Sequence, residues 1–319
     1  MLKRFRKWLV AAALAGCSSH PHGVGRIVVV LTIDWEGATM SSEALDAIDA
    51  TRKSTGGAPI THFVSAAYFT KAAPDPTATD TLSAALHPGD ELAVHLHAWR
   101  SLAEVSGVKP RLAPSFLTGT DKLLVFDDGD EGFDVDLDAY SLVDLRAMVR
   151  QSRRLLEATH LPVSKSFRAG GYLATPKVLE AIRDEGFTVD SSATDYRRIN
   201  IGKEEFLGKR LQKVWPTINE GSQPYTIHEA PGELLEMPIA AIADYSTATQ
   251  IVSTFEAAHA RLRAAPGRDV FVVLAFHEET AVDFADRLAQ AIANVSARPE
   301  FADELTYTTI QHAAERVRH

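Results

Sequence analysis

Residues 26–37 read RIVVVLTIDWEG, and this stretch is the strongest indicator of the fold. Its apolar run, rich in β-branched residues, is interrupted only by Thr32 and leads directly to Asp34 and Glu36. Such a run predicts a strand buried on both faces, as in a parallel sheet covered by helices. Open α/β sheets and β/α barrels place their chemistry at the carboxyl ends of such strands. We therefore expect Asp34 and Glu36 to belong to a functional site.

The remaining sequence alternates between apolar runs and helix-like segments. Helix starts are marked by Ser141 with Asp144, which matches a capping box, and by Pro176 after Thr175. The alternation predicts an α/β fold, an incomplete or distorted (β/α) barrel of about seven parallel strands. Further strands are expected near residues 60–66, 91–94, 163–168, 187–189, 270–276 and 305–308.

Two irregular excursions, at residues 100–140 and 194–245, interrupt this alternation. The first contains an acidic run between residues 127 and 138, whose spacing does not match that of a calcium-binding loop. We interpret the first excursion as a cover over the mouth of the site. Both excursions are expected to shape the substrate groove.

The composition excludes some classes of partner. The chain has 319 residues, of which 45% are hydrophobic and 24% charged, as in an ordinary globular protein. Its formal net charge is −9, and no cluster of Lys and Arg follows the first few residues. Because a polyanion requires a basic surface, nucleic acid is not expected as a partner.

The amino terminus has the pattern of a targeting segment. Basic residues at 3–7 precede an apolar stretch at 8–15 that is too short to span a bilayer. The following Leu-Ala-Gly-Cys, ending at Cys17, resembles a bacterial lipobox. An ordinary cleaved signal peptide or a chance match remains the alternative.

The lipobox interpretation divides the chain into a lipoprotein signal peptide at 1–17, a tether at 18–25 and one domain at 26–319. It predicts a membrane anchor at Cys17 and a cell-envelope location, on the periplasmic or outer-membrane face of a bacterium. His20 and His22 in the tether are expected to be solvated. Since Cys17 is the only cysteine, the mature domain can contain no disulfide and no thiolate metal ligand.

Polar side chains with catalytic potential gather at the predicted strand ends. Residues that alternate along an extended segment point to the same side, so His95 and His97 can face one site, as can Asp34 and Glu36. Two imidazoles and a carboxylate form a hydrolytic metal site in many proteins. The full set is Asp34, Glu36, His95, His97, Arg168, Asp190 and His277.

Each of these residues also has a purely structural interpretation. Arg168 could form a salt bridge at a sheet edge, Asp190 could cap a helix, and His277 could be a buried histidine bonded to backbone. Taken together, polar groups at five strand ends favour a site.

The sequence around these residues resembles the polysaccharide deacetylases of carbohydrate esterase family 4, the NodB homology domain. The resemblance extends from about residue 26 to residue 309 and keeps the order of the family's five motifs. The corresponding segments are 31–36, 91–97, 166–172, 189–192 and 273–277.

The resemblance implies a metal-dependent deacetylase that removes N- or O-linked acetyl groups from a carbohydrate. Asp34 would be the general base that activates water, and Arg168 would orient it and favour its ionised form. His277, kept cationic by Asp190, would be the general acid. The implied metal, zinc, would be held by Glu36, His95 and His97. The oxyanion or substrate would be contacted by Gly171, Tyr172 and Trp99.

Two departures from the family pattern concern the metal ligands. The usual adjacent aspartates are replaced by Asp34 and Glu36, which are separated by one residue. The usual histidine pair is four residues apart, whereas here Trp99 occupies the position four after His95, and His97 must serve instead. These changes resemble a divergent branch with an HxHxW second motif. Two alternatives stay open: an inactive carbohydrate-binding lipoprotein and a cyclic-amide hydrolase on the same fold.

Overall fold

The structure, a computed structural model, describes residues 25–199, 205–228 and 232–318. The predicted signal peptide with Cys17, and residues 18–24 of the predicted tether, lie outside the described residues. The lipidation and localisation of the chain therefore stay predictions. Within the described ranges, no helix is both long enough and apolar enough to cross a membrane.

Strands and helices alternate along the described chain. The strands are β1 (Ile27–Trp35), β2 (Ile60–Ser65), β3 (Glu91–Leu96), β4 (Val163–Ala169), β5 (Val189–Asp190), β6 (Tyr225–Ile227), β7 (Leu234–Glu236), β8 (Ile239–Ile242), β9 (Val270–His277) and β10 (Leu305–Thr308). The helices are α1 (Ser42–Ser54), α2 (Ala78–Ala85), α3 (Arg100–Val105), α4 (Leu142–Glu157), α5 (Pro176–Asp184), α6 (Tyr196–Ile199), α7 (Glu205–Val214), α8 (Ala248–Ala264), α9 (Ala281–Ser296) and α10 (Ile310–Arg318).

Strand β1 is the centre of the sheet, and all nine of its residues are buried. It pairs in parallel with β9 along most of its length, with β10 at its start and with β2 at its end. Helices α1, α8 and α9 pack together over this part of the sheet. The burial of both faces explains why β1 is almost wholly apolar until Asp34.

The sheet curls into a distorted barrel. Its hydrogen-bonded order is β6-β7-β5-β4-β3-β2-β1-β9-β8, in which β6 pairs antiparallel with β7 and the other neighbours are parallel. Strands β7 and β8, which stand at the two ends of the parallel part, are consecutive parts of one extended stretch broken at Met237 and Pro238. Because β7 pairs with β5 and β8 pairs with β9, this stretch brings the two ends together. The predicted distorted (β/α) barrel is confirmed.

The local signals for helix starts are also present in the structure. Helix α4 begins with a complete capping box between Ser141 and Asp144, and Pro176 stands in the first turn of α5. A second capping box, between Thr247 and Gln250, starts α8. The side chains of the two capping boxes satisfy backbone N–H groups that a helix leaves unpaired at its first turn.

The first excursion is held in place by its acidic residues. The Asp130 carboxylate accepts hydrogen bonds from Lys71 Nζ at 2.9 Å and from Ser101 Oγ at 2.7 Å. Asp134 accepts from the Ser115 hydroxyl and from the backbone N–H of Leu124. Asp130 therefore anchors the excursion to the body of the domain through Lys71, and Asp134 holds the excursion together internally.

A core substitution in β1 tests the central position of this strand. We expect Leu31→Ala to lower the free energy of unfolding by about 2–5 kcal/mol, because Leu31 is fully buried and the neighbouring strands cannot collapse onto the space. Urea unfolding measures the effect. In the matched control, Val143→Ala, the side chain is 71% exposed, and a change within about 0.5 kcal/mol is expected. Equal effects of the two substitutions would contradict this packing.

Candidate active site

Glu36, His95 and His97 meet at the carboxyl ends of β1 and β3. His95 lies in β3 and His97 directly after it, so the alternation of an extended chain points both rings the same way. The two Nε2 atoms are 3.2 Å apart. The Glu36 carboxylate approaches them with Oε1 at 3.4 Å from His95 Nε2 and Oε2 at 2.5 Å from His97 Nε2. All three side chains are buried.

Backbone carbonyl groups determine where the two imidazoles carry their hydrogens. His95 Nδ1 lies 3.0 Å from the Arg168 carbonyl oxygen, and His97 Nδ1 lies 2.7 Å from that of Phe133. Since a carbonyl oxygen only accepts hydrogen bonds, each Nδ1 must donate. In a neutral ring, Nε2 then presents a lone pair to the cluster.

These three groups form a candidate cation site. Two imidazole lone pairs and a carboxylate converge within 4.8 Å, and Glu36 Oε2 is buried without a hydrogen-bond partner among the described residues. Burial opposes the charge on Glu36, but when His97 and His95 are protonated, their positive charge holds the pKa of its carboxyl well below the usual range. Two histidines and a glutamate are the ligand set of several hydrolytic zinc sites, and donation from Nδ1 to a carbonyl is the usual outer hydrogen bond of a metal-bound histidine.

Asp34 is held beside this cluster by two hydrogen bonds. Arg168 Nη1 donates to its Oδ1 at 2.5 Å, and the Tyr172 hydroxyl donates to its Oδ2 at 3.1 Å. The guanidinium of Arg168 is itself fully buried and also donates to Thr32 and Ser191. A charge so deeply buried requires such complete pairing.

His277, at the end of β9, faces Asp34 and Glu36 from the other side. Its Nε2 lies 2.9 Å from the Tyr172 hydroxyl and 3.5 Å from Glu36 Oε1. Its Nδ1 lies 3.0 Å from Asp244 Oδ1. Burial alone would lower the pKa of the imidazole, but the carboxylate of Asp244 raises it to about 10. His277 is therefore a proton donor at neutral pH.

The prediction that Asp190 supports His277 is wrong, and Asp244 occupies that position. The sheet order explains the exchange, because β9 neighbours β8, and Asp244 follows β8 after one residue, whereas β5 with Asp190 lies beyond β7. Asp190 instead accepts from the Ser192 hydroxyl at 2.7 Å and sits opposite Glu236 in the pairing of β5 with β7. The apolar run at residues 239–243 could have identified Asp244, but it was interpreted as part of the irregular second excursion.

Asp190 and Glu236 form a fully buried carboxyl pair. Burial and the adjacent charge of Asp190 raise the pKa of Glu236 well above its usual value of 4.5. Burial likewise raises the pKa of Asp190. The pair therefore retains a proton at a pH where free carboxyl groups have lost theirs.

Tyr172 is held in an unusual backbone conformation. Its φ is 61° and that of Gly171 is 58°, both in the left-handed region that a tyrosine rarely adopts. The Trp215 indole donates to the Tyr172 carbonyl at 2.8 Å, which stabilises this turn. The result is a buried hydroxyl that links Asp34 to His277. Strain of this kind is concentrated at functional sites.

Trp99 does not contact a substrate space, contrary to the prediction. Its side chain is fully buried, with Lys71 Nζ 3.2 Å from the ring centroid. The indole N–H donates to the Glu36 carbonyl at 2.9 Å. Trp99 lies two residues after His97, directly before α3 begins. Because the chain turns here, the indole lies beneath the cluster and supports the backbone of Glu36.

A cavity of about 280 Å³ opens beside the cluster. Its lining includes three residues that the sequence predicted for the site: Gly171, Tyr172 and His277. It also includes Glu279, which the sequence did not predict although it follows His277 by two positions. Glu279 accepts a hydrogen bond from the Glu36 N–H at 3.1 Å. Burial and the neighbouring carboxylate of Glu36 raise the pKa of Glu279 well above its usual range.

The carboxyl pair predicts how stability depends on pH. Glu236 binds its proton more tightly in the folded state, so the free energy of unfolding should fall as pH rises above about 4.5, by about 1.4 kcal/mol for each unit of pKa difference. Glu236→Gln keeps the shape without the titration and should flatten this fall, whereas the exposed control Glu180→Gln should not. Urea unfolding from pH 4 to pH 9 measures it. Parallel curves for Glu236→Gln and wild type would refute the protonated pair.

The donor set predicts a stoichiometric metal site. We expect wild type to bind one zinc ion. Loss of an outer hydrogen bond to a ligand lowers metal affinity roughly 10–100-fold, and His95→Ala should lower zinc affinity by more than this because it removes a direct ligand. His87→Ala, whose side chain is 45% exposed, serves as the matched control and should bind like wild type. Titration calorimetry with metal analysis decides the matter, and unchanged binding by His95→Ala would exclude this cluster.

Comparisons with known proteins give likenesses in structure only. No protein-family model and no curated protein sequence matches the chain. A candidate polysaccharide deacetylase from Mycobacterium smegmatis superposes with a TM-score of 0.54 at 16% identity, covering 93% of this chain and 91% of that one. A probable polysaccharide deacetylase from Pseudomonas aeruginosa PAO1 gives 0.51 at 12% identity, covering 92% and 91%. The chain therefore shares the distorted barrel fold of these two structures over nearly its whole described length.

Proposed function

We propose that this protein is a metal-dependent hydrolase that removes N- or O-linked acetyl groups from a carbohydrate. The observation that carries the proposal is the convergence of Glu36, His95 and His97, with both Nδ1 atoms committed to carbonyl groups. The shared fold with two deacetylase-type structures supports the reaction class. We assign the metal as zinc because imidazole and carboxylate ligands with open positions suit it.

Glu36, His95 and His97 would hold a divalent cation, which would supply Lewis-acid chemistry for water activation and carbonyl polarisation. Asp34 then acts as the general base. Its carboxylate is kept in one orientation by Arg168 and Tyr172, and its Oδ2 lies 3.9 Å from His277 Nε2. It accepts the proton that water loses as its oxygen attacks the acyl carbon.

His277 acts as the general acid. With Asp244 on Nδ1, the imidazolium directs its Nε2–H toward the cavity and the Tyr172 hydroxyl. It gives this proton to the leaving amine nitrogen or sugar oxygen as the bond to the acyl carbon breaks. In this proposal, backbone N–H groups near Gly171 and Tyr172, both of which line the cavity, stabilise the oxyanion.

The physiological setting in this proposal comes from the amino-terminal sequence. A lipid anchor at Cys17 would hold the domain in the cell envelope, where an acetylated envelope or extracellular polysaccharide is the accessible substrate. The net charge of −9 is compatible with a neutral or aminated glycan and not with nucleic acid.

Removal of the base tests the function. We expect Asp34→Asn to lower acetate release from acetylated oligosaccharides by about 10²–10⁴-fold, because an amide cannot accept the proton, while zinc is retained since Asp34 is not a ligand. Acetate is quantified over a panel of N- and O-acetylated glycans, with zinc measured on the same samples.

The matched control is Asp46→Asn, an exposed residue of α1, which should release acetate like wild type. Full activity in Asp34→Asn would contradict the assignment of the base. A zinc-loaded wild type that binds saccharides tightly but releases no acetate would contradict hydrolysis itself and leave a carbohydrate-binding protein.

A further inference from the structure

The lining of the cavity beside the cluster has two chemically different parts. One part consists of the polar groups that the proposed reaction uses. The other part, which we term the apolar wall, consists of five residues: Phe116, Leu117, Phe126, Phe133 and Leu207. Four of them come from the first excursion and one from α7.

The apolar wall is a built part of the site. Phe133 stacks on the ring of His97, with centroids 4.2 Å apart and planes 7° from parallel, and Phe126 packs on Trp99 with centroids 4.6 Å apart. The Lys71–Asp130 ion pair fixes the same segment to the domain. These contacts therefore fix the position of the apolar wall relative to the proposed metal ligands.

The wall is poorly suited to a sugar ring. Each sugar hydroxyl that enters an apolar space needs a hydrogen-bond partner to replace water. Among the described residues that line the cavity there is no Asn, Gln, Lys or Arg. Thr280, a polar lining residue outside the cluster, donates its hydroxyl hydrogen to Asp244. The face of Phe133 that could stack on a sugar is partly covered by His97.

We propose that the apolar wall binds the acyl chain of the substrate, and that the site prefers acyl groups longer than acetyl. This inference rests on the proposed function and specifies its substrate class. Water adds its oxygen to the acyl carbon, and the C–N or C–O bond breaks. The leaving group takes up a proton, and the second product is the carboxylate of the longer acid. The saccharide stays on the solvent side of the mouth.

The size of the cavity sets the expected dependence of kcat/KM on the length of the acyl chain. About 280 Å³ is close to the lower limit of roughly 300 Å³ for sites that hold drug-sized ligands, and far exceeds an acetyl group. Burial of each additional methylene contributes about 0.8 kcal/mol, which corresponds to roughly fourfold in kcat/KM. The rise should continue along the acyl series until the wall is covered, and then level off.

The test is a series of N-acyl glucosamines, from acetyl through butyryl and hexanoyl to octanoyl, hydrolysed by the zinc-loaded full-length protein. We expect kcat/KM to rise with chain length, and Leu117→Trp to reduce the octanoyl-to-acetyl ratio by filling the cavity. Leu112→Trp, at a 47% exposed position of the same excursion, is the control and should leave the ratio unchanged. If Leu117→Trp does not fold, Leu117→Ser should reduce the ratio by weakening chain burial.

Direct binding separates this inference from the proposed function. Calorimetry with octanoate and acetate should show tighter binding of octanoate to wild type and weaker binding to Leu117→Ser. Hydrolysis of the acetyl compound alone, with no octanoate binding, would overturn the inference and leave the deacetylase intact. Octanoate binding that Leu117→Ser weakens, without hydrolysis of any member of the series, would support the wall and reject the hydrolase.

Discussion

The candidate site depends on two hydrogen bonds from histidine rings to backbone carbonyl groups. Because His95 Nδ1 donates to Arg168 and His97 Nδ1 donates to Phe133, both Nε2 lone pairs are turned toward Glu36. Without these donations the rings could pair with the carboxylate as ordinary hydrogen-bond donors, and no cation would be required. Protein backbone outside the cluster therefore favours the histidine tautomers that a metal site requires.

The two carbonyl groups belong to different parts of the fold. Arg168 lies in β4, which pairs with β3 at His95, so the first donation follows from the sheet itself. Phe133 lies in the first excursion, so the second donation exists only while that segment is in place. The ion pair between Lys71 and Asp130 thus acts on the site through Phe133. The same segment supplies most of the apolar wall, which links metal ligation to the shape of the cavity.

Local patterns predicted most of the fold. Buried strands such as β1 are continuous apolar runs, and capping residues such as Ser141 mark helix starts within a few positions. The break between β7 and β8 at Met237 and Pro238 has no comparable pattern in the sequence. Short strands that pair with different neighbours can be recognised only once those neighbours are known. The prediction therefore found the barrel but not how its ends meet.

The sequence identified the residues that stand at strand ends and missed those that reach the site from irregular segments. Asp34, Glu36 and His277 were recognisable because an apolar run precedes each. Asp244 also follows an apolar run, at residues 239–243, but this run lies inside the irregular second excursion and was not interpreted as a strand, so its pairing with His277 followed only from the adjacency of β8 and β9. Trp99 was misassigned because its spacing from His95 says nothing about the turn into α3, which directs the indole beneath Glu36.

The central claim is that Glu36, His95 and His97 hold a divalent metal, and anomalous diffraction from crystals grown with zinc tests it most directly. Metal ligation by these residues predicts one strong peak, with both histidine Nε2 atoms at about 2.0–2.1 Å from it and a Glu36 oxygen at about 2.0–2.2 Å from it. Absence of a peak at this cluster, or zinc bound only at exposed histidines, would contradict it.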